Sequence, residues 1–192
     1  MKLHRFFTAL PIDKKGINHL PDLDIIYQIA KVLRFRVGDK VVFFDGTGNE
    51  YRSEIISLNR ETLDFRVIEI SKTKIYSSME ISLAFSLIKK DNMEWIIQKC
   101  TELGVVEFIP IISERSEKKG FNMERAKKIM IEACEQSGRG DISKIRKPQT
   151  LTEFLASEKR KIVAFHTDGD SFKKSNFLES KKLVICIGPE GG

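Results

Sequence analysis

The later part of the chain alternates apolar strand patterns with amphipathic helix patterns, and no other feature constrains the fold as strongly. Residues 81–88 (ISLAFSLI) and 105–112 (VVEFIPII) are almost continuous apolar runs. Runs of this kind are typical of parallel strands that helices cover on both faces. Between them, apolar residues recur at helical spacing from Met93 to Cys100. The pattern predicts βαβ units and a mostly parallel sheet, which places this region in the α/β class.

Capping residues predict where three helices begin. Asp91 is a good N-cap, and Glu94 stands three residues further on in a capping-box arrangement. Asn122 is placed to cap a second helix, and Thr150 with Glu153 forms another capping box. Two more apolar runs, KIVAFH and KLVICI, predict two strands after these helices.

The first 72 residues follow a different pattern and predict mostly β structure. Short strand patterns surround one stretch of helical spacing between His19 and Arg34, which suggests a small barrel. The segment GTGNEY resembles the start of a dinucleotide-binding glycine motif, but Tyr51 occupies the third glycine position and strands flank it on both sides. It therefore predicts a hairpin turn. We predict one domain over residues 1–72 and a second over residues 78–192.

The excess of positive charge is concentrated in one segment. The chain has 192 residues and a formal net charge of +6, and residues 113–147 contain 10 basic and 6 acidic side chains. A basic segment on one element is typical of a nucleic-acid-binding surface, although a solvated helix face has the same composition. We therefore expect RNA or another nucleic acid as a partner.

Cysteine, histidine and hydropathy patterns exclude several other classes. Cys100, Cys134 and Cys186 lie far apart in apolar stretches, which predicts buried free thiols. The histidines are scattered and no CxxC motif occurs, so we predict no metal site. No apolar run reaches the roughly 18 residues of a membrane helix, and the N-terminus lacks a secretory pattern. We expect a cytoplasmic protein with no membrane partner.

A glycine-rich loop, GPEGG, follows the last predicted strand at residues 188–192. Ligands of open α/β sheets bind beyond the carboxyl ends of the strands, and glycines let the backbone approach a ligand closely. A glycine-rich turn without a ligand would have the same composition. The chain has no Walker motif, so a phosphate-binding P-loop is excluded.

Three other segments carry side chains suited to chemistry. EACEQSGRGD places Arg139, a bidentate phosphate binder, between two glycines at the predicted end of a helix, and the pattern predicts that Gln136, Ser137 and Arg139 are all exposed. KCTELGV contains Lys99 and Glu102, which an ordinary surface pair at i, i+3 would also explain. SERSEKKG follows a predicted strand and supplies cations that could meet phosphates.

Four ordered segments resemble a known family. IIQKCTELGV, IISERS, EACEQSGR and IGPEGG occur in the order typical of the RsmE-type 16S ribosomal RNA uridine-N3 methyltransferase family of the SPOUT class. The segment KVLRFRVGDKVVFFDGTGNEY resembles the N-terminal module of the same family. The resemblance implies a small N-terminal PUA-like β-barrel that helps to grip RNA. It further implies a SPOUT-type α/β domain with a trefoil knot that binds S-adenosylmethionine, and a homodimer with sites near the subunit interface.

The resemblance also implies a reaction, the methylation of N3 of a specific uridine in 16S ribosomal RNA within the small ribosomal subunit. We expect Arg139 to steady the anion that forms when N3 loses its proton, or a flanking phosphate, and Glu102 to orient Arg139 or assist with the proton. The expected cofactor-binding residues are Ile187, Gly188, Pro189, Glu190, Gly191, Gly192 and His166. The expected RNA-binding residues are Arg5, Arg34, Arg115, Lys118, Gln136 and Arg139.

The sequence departs from the family pattern at its end. Family members continue beyond GPEGG through a helix and a loop resembling LGxRILRxETA, whereas this sequence stops at Gly192. We therefore expect the C-terminal part of the SPOUT-type domain to be absent and the piece to be incomplete for activity. Two alternatives stay open, namely a non-catalytic RNA-binding ribosome-assembly protein and an unrelated α/β enzyme with a nucleotide ligand.

Overall fold

Two compact units make up the chain. The computed structural model describes residues 3–73, 79–114, 116, 120–165 and 180–189. One unit contains residues 1–74 together with 134–142, and the other contains 75–133 and 143–192. The segment 134–142, which includes Arg139, therefore belongs with the N-terminal unit, although the sequence pattern assigned it to the second domain.

The first unit contains a five-stranded sheet with the order β1-β3-β4-β5-β2. Strands β1 and β3 are parallel, and the other neighbouring pairs are antiparallel. The turn between β3 and β4 holds residues 46–48, and the rest of the GTGNEY segment begins β4, so the predicted hairpin is confirmed. The strands are β1 (Arg5–Phe7), β2 (Ile17–Leu20), β3 (Lys40–Phe44), β4 (Asn49–Leu58) and β5 (Leu63–Lys72).

One irregular helical segment packs on this sheet. Helix α1 (Leu23–Tyr27) begins at Asp22, whose side chain accepts hydrogen bonds from two backbone amides, and continues directly into a π-helical turn at Gln28–Val32. The helical spacing after His19 is thus confirmed in part, since His19 itself lies in β2. Ile29 is fully buried on the inner side of this segment, within a core that includes the stacked rings of Phe43 and Phe65.

The second unit contains the predicted parallel sheet, with the order β10-β11-β6-β7-β8, and β9 also pairs with β7. All of these pairings are parallel, as the alternation of strands and helices predicts. The strands are β6 (Glu80–Ser86), β7 (Glu107–Ile112), β8 (Lys144–Ile145), β9 (Gln149–Thr150), β10 (Lys161–Ala164) and β11 (Lys182–Ile187). The helices that follow α1 are α2 (Lys90–Glu102), α3 (Met123–Ser137) and α4 (Leu151–Ser157).

Two of the three predicted helix caps are confirmed. The Asn122 side chain accepts a hydrogen bond from the Arg125 amide before α3, and Thr150 and Glu153 form a complete capping box before α4. The prediction that Asp91 caps α2 is wrong, because Asp91 lies in the first turn and the N-cap is Lys89. The carboxylate expected to complete that capping box, Glu94, is instead bonded by Arg125 of α3.

The amino ends of the parallel strands are joined by a network of charges. Glu107 at the start of β7 accepts hydrogen bonds from Arg146 and Arg160, and Glu158 accepts from the same two arginines. The Glu158 side chain is only 5% exposed. Hydrogen bonds from Arg160 outweigh the effect of burial and lower the pKa of Glu158 to about 2. The network stabilises the edge of the sheet opposite the carboxyl ends of the strands.

Within the part of the chain that the structure describes, no helix is both long enough and apolar enough to cross a membrane. The described residues also contain no group of three or more acidic, histidine or cysteine side chains arranged to hold a metal ion.

Candidate active site

The carboxyl ends of four parallel strands meet at one edge of the second unit. Strands β10, β11, β6 and β7 are neighbours in register, so the residues that follow them share this edge. Ile187 is the last residue of β11 and is 47% exposed, and Gly188 and Pro189 follow it. Among the described residues, a Cβ at Gly188 would meet no atom within 4 Å. The described part of the edge therefore leaves space beside the Gly188 backbone.

Part of that predicted loop lies outside the described residues. Glu190, Gly191 and Gly192 are not among them, and neither is His166. Their assignment to a cofactor site stays a prediction from the sequence.

A cavity of about 130 Å³ opens beside the same edge, between α2 and α3. Its lining includes Ile88, two residues after β6, and residues 120–122, which lead into α3, so the cavity adjoins the carboxyl end of β6. Its walls are mostly apolar, and they include Met93, Ile97, Phe121, Ala126 and Ile129. A mostly apolar lining with a few polar groups is usual in small-molecule sites, but this cavity is smaller than the roughly 300 Å³ at which such sites usually begin.

An ion pair adjoins this cavity. Arg125 donates from Nε and Nη2 to one carboxylate oxygen of Glu94, at 3.2 and 2.8 Å. Both residues line the cavity. The hydrogen bond from Arg125 lowers the pKa of Glu94, so the carboxylate stays ionised and keeps the guanidinium oriented. One arginine of the basic segment at residues 113–147 is therefore paired with a carboxylate of its own unit.

The turn after β7 is fixed by serine side chains. The Ser113 amide donates to Ser116 Oγ at 2.8 Å, and Ser116 Oγ donates to the carbonyl oxygen of Ile111. Arg115 and Lys118, which the sequence proposed for RNA contact, lie outside the described residues.

Glu102 lies in the last turn of α2, where Lys99 holds its carboxylate. Lys99 Nζ donates to both carboxylate oxygens, at 3.0 and 2.9 Å. The pair has the i, i+3 geometry that the sequence offered as the ordinary explanation. The catalytic role of Glu102 stays a prediction.

In the first unit, the loop at residues 138–142 fixes the position of Arg139. Helix α3 ends at Ser137 and is followed by Gly138, which has a φ of 81°, and the amides of Gly138 and Arg139 both donate to the Cys134 carbonyl. Gly140 is buried, and a Cβ there would overlap Thr73 Oγ1. The Gly140 carbonyl accepts a hydrogen bond from the Gly48 amide at 3.0 Å. Both glycines are therefore required by the backbone geometry of this loop.

The guanidinium of Arg139 is bonded by a carboxylate two residues away. Arg139 donates from Nε and Nη2 to the two carboxylate oxygens of Asp141. The Arg139 side chain is only 11% exposed, which corrects the expectation of an exposed residue, whereas Gln136 and Ser137 are exposed as predicted. The close packing of the loop against residues 46–48, in the turn between β3 and β4, explains the burial.

Arg5 is also held by a carboxylate. Its two terminal nitrogens donate to Glu50, which accepts a further hydrogen bond from Thr73 at 2.7 Å. Burial alone would raise the pKa of Glu50, but the hydrogen bonds from Arg5 and Thr73 and the charge of Arg5 hold it below its ordinary value. The Arg5 side chain is 16% exposed, so the structure gives it an internal partner where the sequence expected a phosphate contact.

Arg34 is exposed, in contrast to Arg5 and Arg139. Its φ is 57°, and no other described non-glycine residue has a positive φ. Backbone strain of this kind persists only where the surrounding structure requires it.

Sequence reasoning missed the partners of the predicted cations. None of these partners belongs to a motif that would predict the pairing. Glu50 and Thr73 lie far from their partners in the chain, and Asp141 lies in a loop of irregular backbone. A carboxylate two residues after Arg139 was the one local signal that could have predicted its pairing.

Comparisons with known proteins agree with this architecture. A family model described as an RNA methyltransferase domain matches residues 76–192, and one described as an RNA methyltransferase PUA domain matches residues 29–75. Ribosomal RNA small subunit methyltransferase E of Rickettsia conorii is 28% identical over 100% of this chain and 80% of its own length. The protein of the same name from Bacillus subtilis is 29% identical over 99% of this chain and 81% of its own length.

Two solved structures share the fold. The same-named enzyme of Neisseria gonorrhoeae, bound to S-adenosyl methionine, superposes with a TM-score of 0.87 at 27% identity, covering 100% of this chain and 81% of that chain. A Legionella pneumophila protein in complex with the same cofactor gives a TM-score of 0.89 at 25% identity, covering 100% and 82%. The α/β fold with a PUA-like N-terminal unit is therefore confirmed.

Proposed function

Because the chain belongs to the RNA methyltransferase family, we propose that it methylates ribosomal RNA of the small subunit with S-adenosylmethionine as methyl donor. The observation that carries the proposal is the family match over residues 76–192, the region that builds the parallel sheet and its carboxyl edge. We further propose that the target is N3 of a uridine in 16S ribosomal RNA.

The described residues fit the methyl donor. Gly188 and Pro189 follow β11, in which Leu183 and Val184 are buried, at the edge where ligands of α/β sheets bind, and no atom of the described residues lies within 4 Å of a Cβ built at Gly188. When bound, the cofactor supplies an electrophilic methyl group on a sulfonium. Ile187, Gly188 and Pro189 would hold it through backbone groups and an exposed apolar side chain, together with Glu190, Gly191, Gly192 and His166.

Positioning is the main task of the protein in this reaction. N3 of a uridine is a weak acid, and its proton must leave before or during methyl transfer. Holding N3 of the uridine in line with the methyl group contributes most of the rate. A fixed cation can also stabilise the negative charge that develops on the uracil ring. We assign that role to Arg139, whose guanidinium Asp141 orients, and we retain Glu102 as the proposed proton-handling carboxylate.

Contacts with RNA are proposed for exposed groups. Arg34 and Gln136 are exposed in the first unit, and Arg115 and Lys118 follow β7 in the sequence. Arg5 is proposed to act indirectly, by holding Glu50 and Thr73 beneath the loop at residues 138–142.

A transfer assay tests the proposal. Small subunits from cells that lack the modification would be incubated with the full-length protein and labelled S-adenosylmethionine, and the modified nucleotide would be mapped by primer extension. A methyl group on N3 removes a Watson–Crick position, so extension should stop one nucleotide before the target. A Gly188→Val variant, whose side chain would fill the open space, should lose cofactor binding. RNA binding without methyl transfer would favour the alternative of a non-catalytic assembly protein.

We propose a homodimer as the active form and a trefoil knot in the second unit. Two exposed large apolar side chains support an interface. Trp95 in α2 is 63% exposed, and Leu103, directly after α2, is 84% exposed. Light scattering on the purified protein tests the oligomeric state, and a monomer at working concentration would contradict it.

A further inference from the structure

We propose that the outer face of the α1 segment binds an unpaired stretch of RNA, with Tyr27 stacking on a base and Lys31, Arg34 and Arg36 contacting phosphates. We call this surface, made by these four residues, the α1 face. The inference rests on the proposed function, since it assumes an RNA substrate, but it names a site and a form of RNA that the reaction itself does not require.

The burial pattern of the segment defines the face. Ile25, Ile26 and Ile29 are buried on one side, whereas Tyr27 and Val32 are 63% and 61% exposed. The π-helical turn explains how residues five apart keep the same side, because a π-helix closes its hydrogen bonds from i to i+5. Tyr27 and Val32 therefore lie in solvent, although the opposite side of the same segment is buried.

The charge of the face is uncompensated. Residues 27–36 contain three cations and no carboxylate. All three cations are exposed, and no described carboxylate pairs with the side chain of Lys31, Arg34 or Arg36. Of the nearest acidic groups in the sequence, Asp22 caps α1 and Asp39 accepts from the Arg36 amide at 2.7 Å. The third, Asp24, is exposed in the first turn of α1 and forms no ion pair with the three cations among the described residues.

The backbone fixes where two of these cations point. Arg34 has a φ of 57° and ends the helical segment, and the next amide, that of Phe35, donates to the Ile29 carbonyl at 2.9 Å. Phe35 packs partly into the core and meets the ring of His4 edge-on, at 5.6 Å between centroids. Anchored in this way, Phe35 holds Arg34 and Arg36 on either side of itself as exposed groups.

An aromatic ring among unpaired cations matches single-stranded RNA better than a duplex. Bases of an unpaired strand stack on exposed aromatic side chains, whereas duplex bases already stack on one another. The cations match the phosphates, and the apolar side chain of Val32 can pack against a ribose or a base. The α1 face of a second copy of this chain would have the same positive charges, so two such faces would repel each other.

Fluorescence anisotropy with a labelled oligouridine tests the site. Tyr27→Ala should weaken binding by about tenfold and Tyr27→Phe should restore it, because the ring and not the hydroxyl stacks. Arg34→Gly suits the left-handed backbone and should lower the salt slope of binding by about 0.7. The matched control is Arg60→Ala, which removes an exposed charge of the same unit in the turn before β5 and should leave binding unchanged.

Each other result would overturn the inference. Equal effects of Arg34→Gly and Arg60→Ala would mean a general charge effect, and unchanged binding by Tyr27→Ala would remove the stacking contact. A change of oligomeric state in Tyr27→Ala would identify a protein contact instead. Cofactor binding and methyl transfer by the wild-type protein are measured separately, so failure of the proposed function is distinguishable from failure of this site.

Discussion

Asp141 accepts hydrogen bonds from both Nε and Nη2 of Arg139, two residues before it in the chain, and so fixes the plane of the guanidinium of a side chain that is only 11% exposed. The pair lies on a loop that is hydrogen-bonded within the first unit, where the Gly48 amide donates to the Gly140 carbonyl and the Ile142 amide donates to the Gly46 carbonyl. An arginine at the end of a basic helix thus has a set orientation before any substrate arrives.

Replacing Asp141 by asparagine should release that orientation. We expect Asp141→Asn to lower kcat for methyl transfer by about tenfold, since misplacing a catalytic group is costly, with cofactor affinity unchanged. The loss of a charge-assisted pair should also cost about 1 kcal/mol of unfolding free energy. Steady-state kinetics and urea unfolding measure the two effects, and Glu61→Gln on an exposed turn is the control. If kcat stays at the wild-type value, Arg139 acts without Asp141 or not at all.

Adding a methyl group at Gly140 should disturb the same loop. A Cβ at Gly140 overlaps Thr73 Oγ1 and lies 3.4 Å from Glu50 Cγ, so we expect Gly140→Ala to cost about 1 to 3 kcal/mol of unfolding free energy. The additional change Thr73→Ala removes the overlapping atom and should recover part of the loss. Gly120→Ala, at a site with nothing within 4 Å, should change little, and thermal unfolding compares the three proteins.

Acid should weaken the second unit through Glu158. Hydrogen bonds from Arg160 lower the pKa of Glu158 from an ordinary value of 4.5 to about 2 in the folded protein. A depressed folded pKa gives stability that is present above the unfolded pKa and is lost as the pH falls toward the folded one. We expect a contribution of at most about 3 kcal/mol, lost below about pH 4.5.

Unfolding in urea between about pH 7 and pH 3 tests this dependence. The Glu158→Gln variant should be less stable than the wild type at neutral pH, and the difference should shrink as the pH falls. Parallel curves for the two proteins across the whole range would show that Glu158 is not responsible for acid sensitivity.

Cys134 should be chemically inert in the folded protein. Burial raises the pKa of the Cys134 thiol to about 11, so almost no thiolate exists at about pH 8, and the side chain is fully buried. Iodoacetamide should therefore modify Cys134 only after the protein is unfolded, as peptide mass spectrometry can follow. Cys100 and Cys186 are partly exposed and serve as internal references. Rapid labelling of Cys134 at neutral pH would mean that the end of α3 opens readily.

The sequence by itself determined the strand and helix alternation of the second unit, two of its three helix caps and the family. These features depend on local chemistry: apolar runs, capping side chains and ordered motifs all lie within a few residues of one another. The predicted capping box at Asp91 does not form, since α2 begins before Asp91 and Glu94 is bonded by Arg125, which is 31 residues away. A local pattern cannot register a competitor that only folding brings close.

Only the tertiary structure decided what the charged residues do. Composition counted Arg5, Arg125 and Arg139 as available cations, whereas each is paired with a carboxylate, two of them from distant segments and one from an irregular loop. The same structure leaves Lys31, Arg34 and Arg36 exposed on a face with Tyr27. Hydrogen bonding and burial act across space, so whether a cation serves the fold or a polyanionic partner is settled when the chain folds.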